Sequence, residues 1–317
     1  MIFNSIVEQL AIANNSKVNL SKAKKHPSIA LQPWLSEQYN LPESYHNSAN
    51  FMAIGHGLTE SLTTEKQHWL RADPIMLTVG HNGLFCRGNR VLNVTDDERQ
   101  SLQELINPHF AEDKLTFILF DSRRGYLKTP TEPSSTFTPL EELIGSEISN
   151  ALPSGDDAPF WHGVLTDIQM LLHNCEVNQR RQERGEPIIS GLWLWAESEL
   201  SAKGTDNNSD TECKLYTDDA ALSGVLGKAV NLNEIGTHFD RLQSNNKHIR
   251  IYSTELQDAS SQDDQQGWLA LYQYWFENWI QPAIKAVNNN NCQQLKLITD
   301  DGFCYRYNAL SRWCFWR

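Results

Sequence analysis

The clearest pattern of apolar positions in the chain lies between Trp161 and Leu172. Trp161, Val164, Leu165, Ile168, Leu171 and Leu172 recur at spacings of three and four, the signature of one buried helix face. Asp156, Asp157 and Pro159 stand where the start of a helix takes acidic residues and proline. A second such pattern, Trp268, Leu271, Tyr272, Trp275, Phe276, Trp279 and Ile280, predicts a long helix that Pro282 bends or splits. A third follows Thr95. Acidic residues fill its first turn, Leu102, Leu105 and Ile106 make the apolar face, and Pro108 predicts a stop near Asn107.

Between these helices run short segments of strand character. "KLTFILFD" (Lys114–Asp121) is one, with "RGYLKT" pairing beside it. Ile75–Val79 and Gly83–Gly88 flank "GHNG" as a hairpin. "GLWLWAE" reads as a buried strand, "KLYTDD" and "KHIRIYSTEL" as further strands around a helix, and "QQLKLITDDGFCYRY" as a hairpin about Asp301-Gly302. Such alternation favours an α/β protein with a mixed or mostly parallel sheet and flanking helices. Residues 1–30 read as a short amphipathic helix and polar linker, and 31–317 as one α/β unit, with a division into two subdomains near 130–155 as the alternative.

Composition narrows the chemistry. The 317 residues carry 39 acidic and 27 basic side chains, a net charge of −12, which is the wrong sign for a nucleic-acid binder. No apolar span approaches the roughly 20 residues of a membrane helix, and no signal peptide is evident. The six cysteines are scattered without a CxxC, which fits a reducing cytoplasm. Neither GxxxxGK[ST] nor GxGxxG occurs, nor HExxH, nor GxSxG. No resident cofactor and no metal site is expected. His56 in "GHG" and His81 in "GHNG" have the residue type of a ligand, but a lone loop histidine is ordinarily just exposed. The acidic pairs read as solvated turns, with Asp218-Asp219 the most notable of them because it follows the strand "KLY".

Two places could hold an anion. Arg123 and Arg124 follow the strand that ends at Asp121, and ligands often sit beyond strand C-termini. His173, Asn178, Arg180, Arg181 and Arg184 form the densest polar cluster. On a continuing helix Arg180 and Arg184 share a face and clamp a small phosphate or carboxylate, with His173 as candidate acid or base. The same residues also have an architectural reading. Glu176 can pair with Arg180, and Gly185 can end a helix before Pro187.

The block from Gly155 to Leu200, with "WLRADPIMLTVGHNGLFC", "LINPHF" and the aromatic-basic tail, resembles a bacterial family of RpfE-type regulatory proteins. The resemblance rests on Asn178, Arg181, Gly185, Pro187, Trp193 and Trp195, whereas Ala196 stands where relatives commonly carry glycine. It implies a non-catalytic regulatory or accessory protein, more accessory than enzyme, that binds a small anionic ligand or a protein partner. More faintly, the same block is similar to cofactor-independent phosphoglycerate mutases. That resemblance implies a degenerate alkaline-phosphatase-like core, with two metal ions on Asp and His ligands and a serine nucleophile, none of which maps onto this chain. The alternatives are therefore a mutase-like or phosphatase-like enzyme for a phosphorylated metabolite, and a homodimeric interaction module built on the aromatic helix and tail.

Overall fold

The computed structural model describes residues 83–196 without a break. Outside them it describes 24–27, 35, 39, 41, 45–59, 68–81, 213–226, 230–232, 239, 248–255, 265–299, 303–308 and 310. Strands are β1 (Lys24–Pro27), β2 (His68–Ile75), β3 (Leu77–Val79), β4 (Leu84–Cys86), β5 (Thr116–Leu119), β6 (Gly125–Thr129), β7 (Ser135–Thr136), β8 (Ser154–Gly155), β9 (Gly191–Trp195), β10 (Cys213–Thr217), β11 (Val230–Asn231), β12 (His248–Tyr252), β13 (Gln294–Thr299) and β14 (Phe303–Asn308). Helices are α1 (Ala49–Gly55), α2 (Asp96–His109), α3 (Leu140–Leu143), α4 (Ala158–His173), α5 (Glu176–Glu183), α6 (Ala220–Leu226), α7 (Gln265–Trp275) and α8 (Gln281–Asn288).

The central sheet has the order β5-β6-β2-β9, and every neighbouring pair is antiparallel. Strand side chains alternate between faces, so β2 serves two cores at once. Leu70 and Ala72 pack with Phe117, Leu127 and Leu192 against Leu102 and Ile106 of α2 and Trp161, Leu165 and Ile168 of α4. Trp69 points the other way, into a second core with Tyr126, Phe51 and Met52 of α1, Leu215 of β10 and Leu222 of α6. Because both faces are covered, all eight residues of β2 are buried, the polar ones included.

This corrects the expected sheet. Among the described strands only β10, between β11 and β12, pairs in parallel. Short connections dictate the direction of β3–β4, β5–β6 and β13–β14, because only antiparallel strands can be joined by a tight turn. Gly80 N–H bonds Gly83 O between β3 and β4. Between β5 and β6, the Asp121 carboxylate accepts the Arg123 and Arg124 amides at 2.9 and 2.7 Å. A helix crosses between parallel strands only in 213–252. Elsewhere α2 and α4 cover an antiparallel sheet, which gives the same alternation along the chain.

Two proline expectations resolve differently. The helix after Thr95 runs through Pro108 and ends one residue later, at His109. The long aromatic helix is interrupted as expected. Residues Phe276–Ile280 form a wider π-helical turn directly before Pro282, whose ring nitrogen cannot donate to the preceding turn. Of the first 30 residues, 1–23 and 28–30 lie outside the described ones, and Lys24–Pro27 pairs antiparallel with β14. Among the described residues no helix is long and apolar enough to cross a membrane.

Candidate functional site

The arginine cluster is not on one continuing helix. The first helix ends at His173, and Cys175 caps α5, with its sulfur 3.4 Å from the Asn178 amide. Asn178, 2% exposed, donates to Leu172 O at 2.7 Å and to Ile189 O at 2.8 Å, and accepts the Ile189 amide at 2.8 Å. It thus fastens the end of α4 to the approach of β9. Arg181, 1% exposed, donates to Leu92 O, Pro187 O and Glu98. Arg184 bonds the other Glu98 oxygen at 2.7 Å and Glu186 at 2.8 Å. Glu98 also closes the capping box of α2 with Thr95. Burial alone would raise the Glu98 carboxyl, but the Thr95 amide and the guanidiniums of Arg181 and Arg184 outweigh it and hold the pKa below its usual value.

Gly185, at φ +70°, ends α5 in a left-handed turn. Glu186 N–H bonds Arg181 O, and Gly185 N–H bonds Gln182 O, the two bonds of a Schellman motif. Arg180 is exposed and pairs with Glu176 at 2.9 Å, while His173 is exposed at the end of α4. Asn178→Ala should therefore cost about 2–3 kcal/mol, because it strands two carbonyls and an amide in the core. A urea denaturation midpoint unchanged from that of the parent would disprove this role.

The Arg123-Arg124 turn leads elsewhere. Gly55, His56, Phe120, Arg124, Thr217, Asp218 and Asp219 line a cleft of about 140 Å³, together with Ala220 and Ser223. Arg124 is the one sequence-predicted residue in this lining, and none of the Asn178–Arg184 residues joins it. Arg123 contributes its backbone to the turn: its carbonyl accepts from Asn89 at 2.9 Å.

Each wall of the cleft has a local cause. Asp218 and Asp219 follow β10 at the carboxyl end of the parallel sheet, the usual location of ligand sites in such sheets. Asp218 ties that end to β12 by accepting from the Ser253 hydroxyl and from the Thr254 amide at 2.9 Å. Asp219 caps α6, with Leu222 N–H 3.1 Å from its carboxylate. On the opposite wall, His56 follows α1, stacks on Phe120 at 4.0 Å, and places Nδ1 2.6 Å from the Tyr126 hydroxyl. Tyr126 is held from behind by Arg71, whose guanidinium lies 5.0 Å from its ring and 2.6 Å from Asp73. Arg124 pairs with Asp121 at 2.6 Å.

The electrostatics separate these groups. Burial, with the Asp218 charge added, raises Asp219 to about 6 against the pull of its two amide contacts. Burial also raises Asp218. His56 is lowered to about 3, first by burial and then by the charges of Arg124 and Arg71. At neutral pH the cleft thus holds an uncharged imidazole, a guanidinium and two neighbouring carboxyl groups that burial raises.

Sequence reasoning had set His56 aside as an exposed loop histidine and the acidic pair as a solvated turn. The available signal was Asp218-Asp219 closing a strand immediately before a helix, the same reasoning that singled out Arg124. The metal pair implied by the mutase resemblance is not matched: among the described residues no three His, Cys, Asp or Glu side chains converge to hold a metal ion.

No protein-family model matches the chain, so the RpfE-type resemblance finds no support. Curated relatives are instead 2,3-bisphosphoglycerate-independent phosphoglycerate mutases. The one from Methanosarcina barkeri is 24% identical over 107 residues, 33% of this chain and 27% of the relative. That from Methanothrix thermoacetophila is 35% identical over 60 residues, 19% of this chain and 15% of the relative. The matched stretch thus spans about a quarter or less of the length of these relatives. The solved cofactor-independent phosphoglycerate mutase of Thermoplasma acidophilum superposes at a TM-score of 0.39 with 14% identity, covering 90% of this chain and 79% of that one. The sequence similarity, rather than this superposition, bears on function. It is distant, consistently to one enzyme family, and it overturns both the expectation of a non-catalytic regulatory protein and the leaning away from an enzyme.

Proposed function

We propose that the protein is an enzyme acting on a small phosphorylated metabolite, with phosphoglycerate-mutase-like or phosphatase-like chemistry, and that the cleft between α1 and α6 is its site. The observation that carries this reading is the meeting of Arg124, His56, Asp218 and Asp219 around one small cavity. The distant mutase similarity supports it.

Arg124 offers a fixed positive charge and planar donors to a phosphate oxygen. Its salt bridge to Asp121 keeps it oriented while leaving it partly open. Asp219, raised to about 6, titrates close enough to neutral pH to exchange a proton as an acid or base in phosphoryl chemistry.

The test is phosphorus NMR of the purified chain with phosphorylated hydroxy acids and sugars, with and without added divalent cations. Migration or release of phosphate is the expected result. Arg124→Ala should raise KM about 10-fold or more while changing kcat less, the pattern of a lost binding contact. A chain that turns over none of these compounds under either condition overturns the reading.

A further inference from the structure

We propose that Tyr126 is a positioning residue that locks His56 in its Nε2–H tautomer, so that the imidazole presents a neutral hydrogen-bond donor to the cleft. This rests on reading the cleft as the functional site. The tautomer itself does not depend on that reading.

The argument is an accounting of protons. Nδ1 of His56 and the hydroxyl of Tyr126 are 2.6 Å apart, so one of the two groups must donate to the other. Tyr126 is fully buried at 0% exposure, and among the described residues His56 is the one hydrogen-bond partner of its hydroxyl. A buried phenol has one proton and needs an acceptor for it. If Nδ1–H donated to the phenol oxygen, the phenol proton would be left buried without a partner, at a cost of roughly 1–3 kcal/mol. The opposite arrangement satisfies both groups. The phenol therefore donates, Nδ1 accepts, and the proton of the neutral ring lies on Nε2.

The surroundings keep both partners in these states. Burial raises the Tyr126 hydroxyl to about 12, so it remains a donor across the physiological range. An imidazolium would need a proton on Nδ1, where the phenol proton already points. Of the charges around His56, Arg124 and Arg71 disfavour a cation and Asp121 offsets them in part, while Asp218 and Asp219 line the same cleft. Face-to-face contact with Phe120 fixes the plane of the ring, and the Trp69 edge and Arg71 guanidinium fix the plane of the phenol.

Nε2 is then the nitrogen that remains for a ligand. A neutral donor adds a hydrogen bond to a phosphate or carbonyl oxygen without bringing a second charge beside Arg124. Its strength does not titrate between pH 5 and 8, unlike that of an ordinary histidine. His56 would thus bind and polarise, while proton transfer falls to the carboxyl groups opposite.

The test uses the full chain labelled with nitrogen-15 at histidine, with the His56 signals assigned by their loss in His56→Gln. Two-bond proton–nitrogen spectra distinguish a bare ring nitrogen from a protonated one. In the parent, Nδ1 should appear bare and Nε2 protonated, unchanged from pH 8 to pH 5. In Tyr126→Phe, which keeps the ring, the tautomers should mix and the imidazole should titrate at higher pH. A protonated Nδ1 in the parent overturns the proposal, and this outcome needs no variant to fold. A folded Tyr126→Phe with an unchanged His56 tautomer overturns it too. On a substrate found by the phosphorus assay, Tyr126→Phe should lower kcat about 10-fold with KM nearly unmoved. Failure to find any substrate would strike the proposed function alone, because the tautomer is read without one.

Discussion

Gly224→Ala is expected to destabilise the protein by about 3 kcal/mol or more and to disrupt the cleft, although alanine is the better helix former. A β-carbon on Gly224 would lie 1.9 Å from the Phe51 carbonyl oxygen, and one on Gly55 would lie 2.0 Å from that of Ala220. The two close approaches are reciprocal: α1 and α6 cross backbone to backbone, each placing a glycine against a carbonyl of the other. Neither obstacle is a flexible side chain, so relief requires the helices to part, and overfilled cores of this kind lose roughly 1–3 kcal/mol or more. His56 directly follows Gly55, and Asp219 directly precedes Ala220, so parting the helices also separates the two walls of the cleft. Gly163→Ala is the control. It lies within α4 with open space around its added methyl group, and helix propensity alone should stabilise it by up to about 1 kcal/mol. Urea denaturation of both variants checks the pair. If Gly224→Ala is as stable as Gly163→Ala, the tight crossing is not real.

This crossing shows where the sequence is legible and where it is not. Trp161, Val164, Leu165 and Ile168 announced α4 because a helix buried on one face must repeat its apolar residues at its own period. The hairpins were legible for a similar local reason, since Gly80, Gly83 and Asp121 mark tight turns. Strand direction was not, because an antiparallel sheet under two helices and a parallel sheet between helices produce the same alternation of segments. Gly224 carries no local sign of its role, since the carbonyl that excludes a side chain there belongs to Phe51, far away in the chain. The arginines failed as a guide for another reason. Arg180 and Arg184 read as an anion clamp only while their partners are unknown: Arg180 pairs with Glu176, and the partner of Arg184, Glu98, lies on a helix far earlier in the sequence. Arg124 stands out because its position after a strand is itself a topological signal, and it lines the cleft proposed as the site.

Asp219→Asn should lower kcat about 100-fold or more and, at the same time, stabilise the protein above neutral pH. The activity loss follows if the carboxyl carries a proton in the reaction, since positioned acids and bases contribute about 10²–10⁴-fold. The stability gain follows from linkage. In the folded chain the carboxyl is raised from 3.8 to about 6 by burial and by Asp218, so the folded state holds a proton that the unfolded chain has released. Its contribution is complete below the unfolded value and is lost as pH rises through about 6. A shift of roughly two units corresponds to about 3 kcal/mol of strain at pH 8, which asparagine does not carry. Asparagine still presents an oxygen to the Leu222 amide, so the cap of α6 survives. Other carboxyls shape the absolute pH profile. Asp218 is raised in the same sense, and Glu98 and Asp121 are depressed in the opposite one. The difference between parent and variant cancels Glu98, which lies elsewhere, and retains Asp219 together with its coupling to Asp218. Urea midpoints measured from pH 4 to pH 8 should therefore coincide at the acid end and diverge through pH 6, with the variant the more stable. Parallel curves would mean that the Asp219 carboxyl is not strained, and a variant with parental kcat would remove it from the chemistry. Both effects together are the mark of a residue held against its own stability for the sake of a reaction.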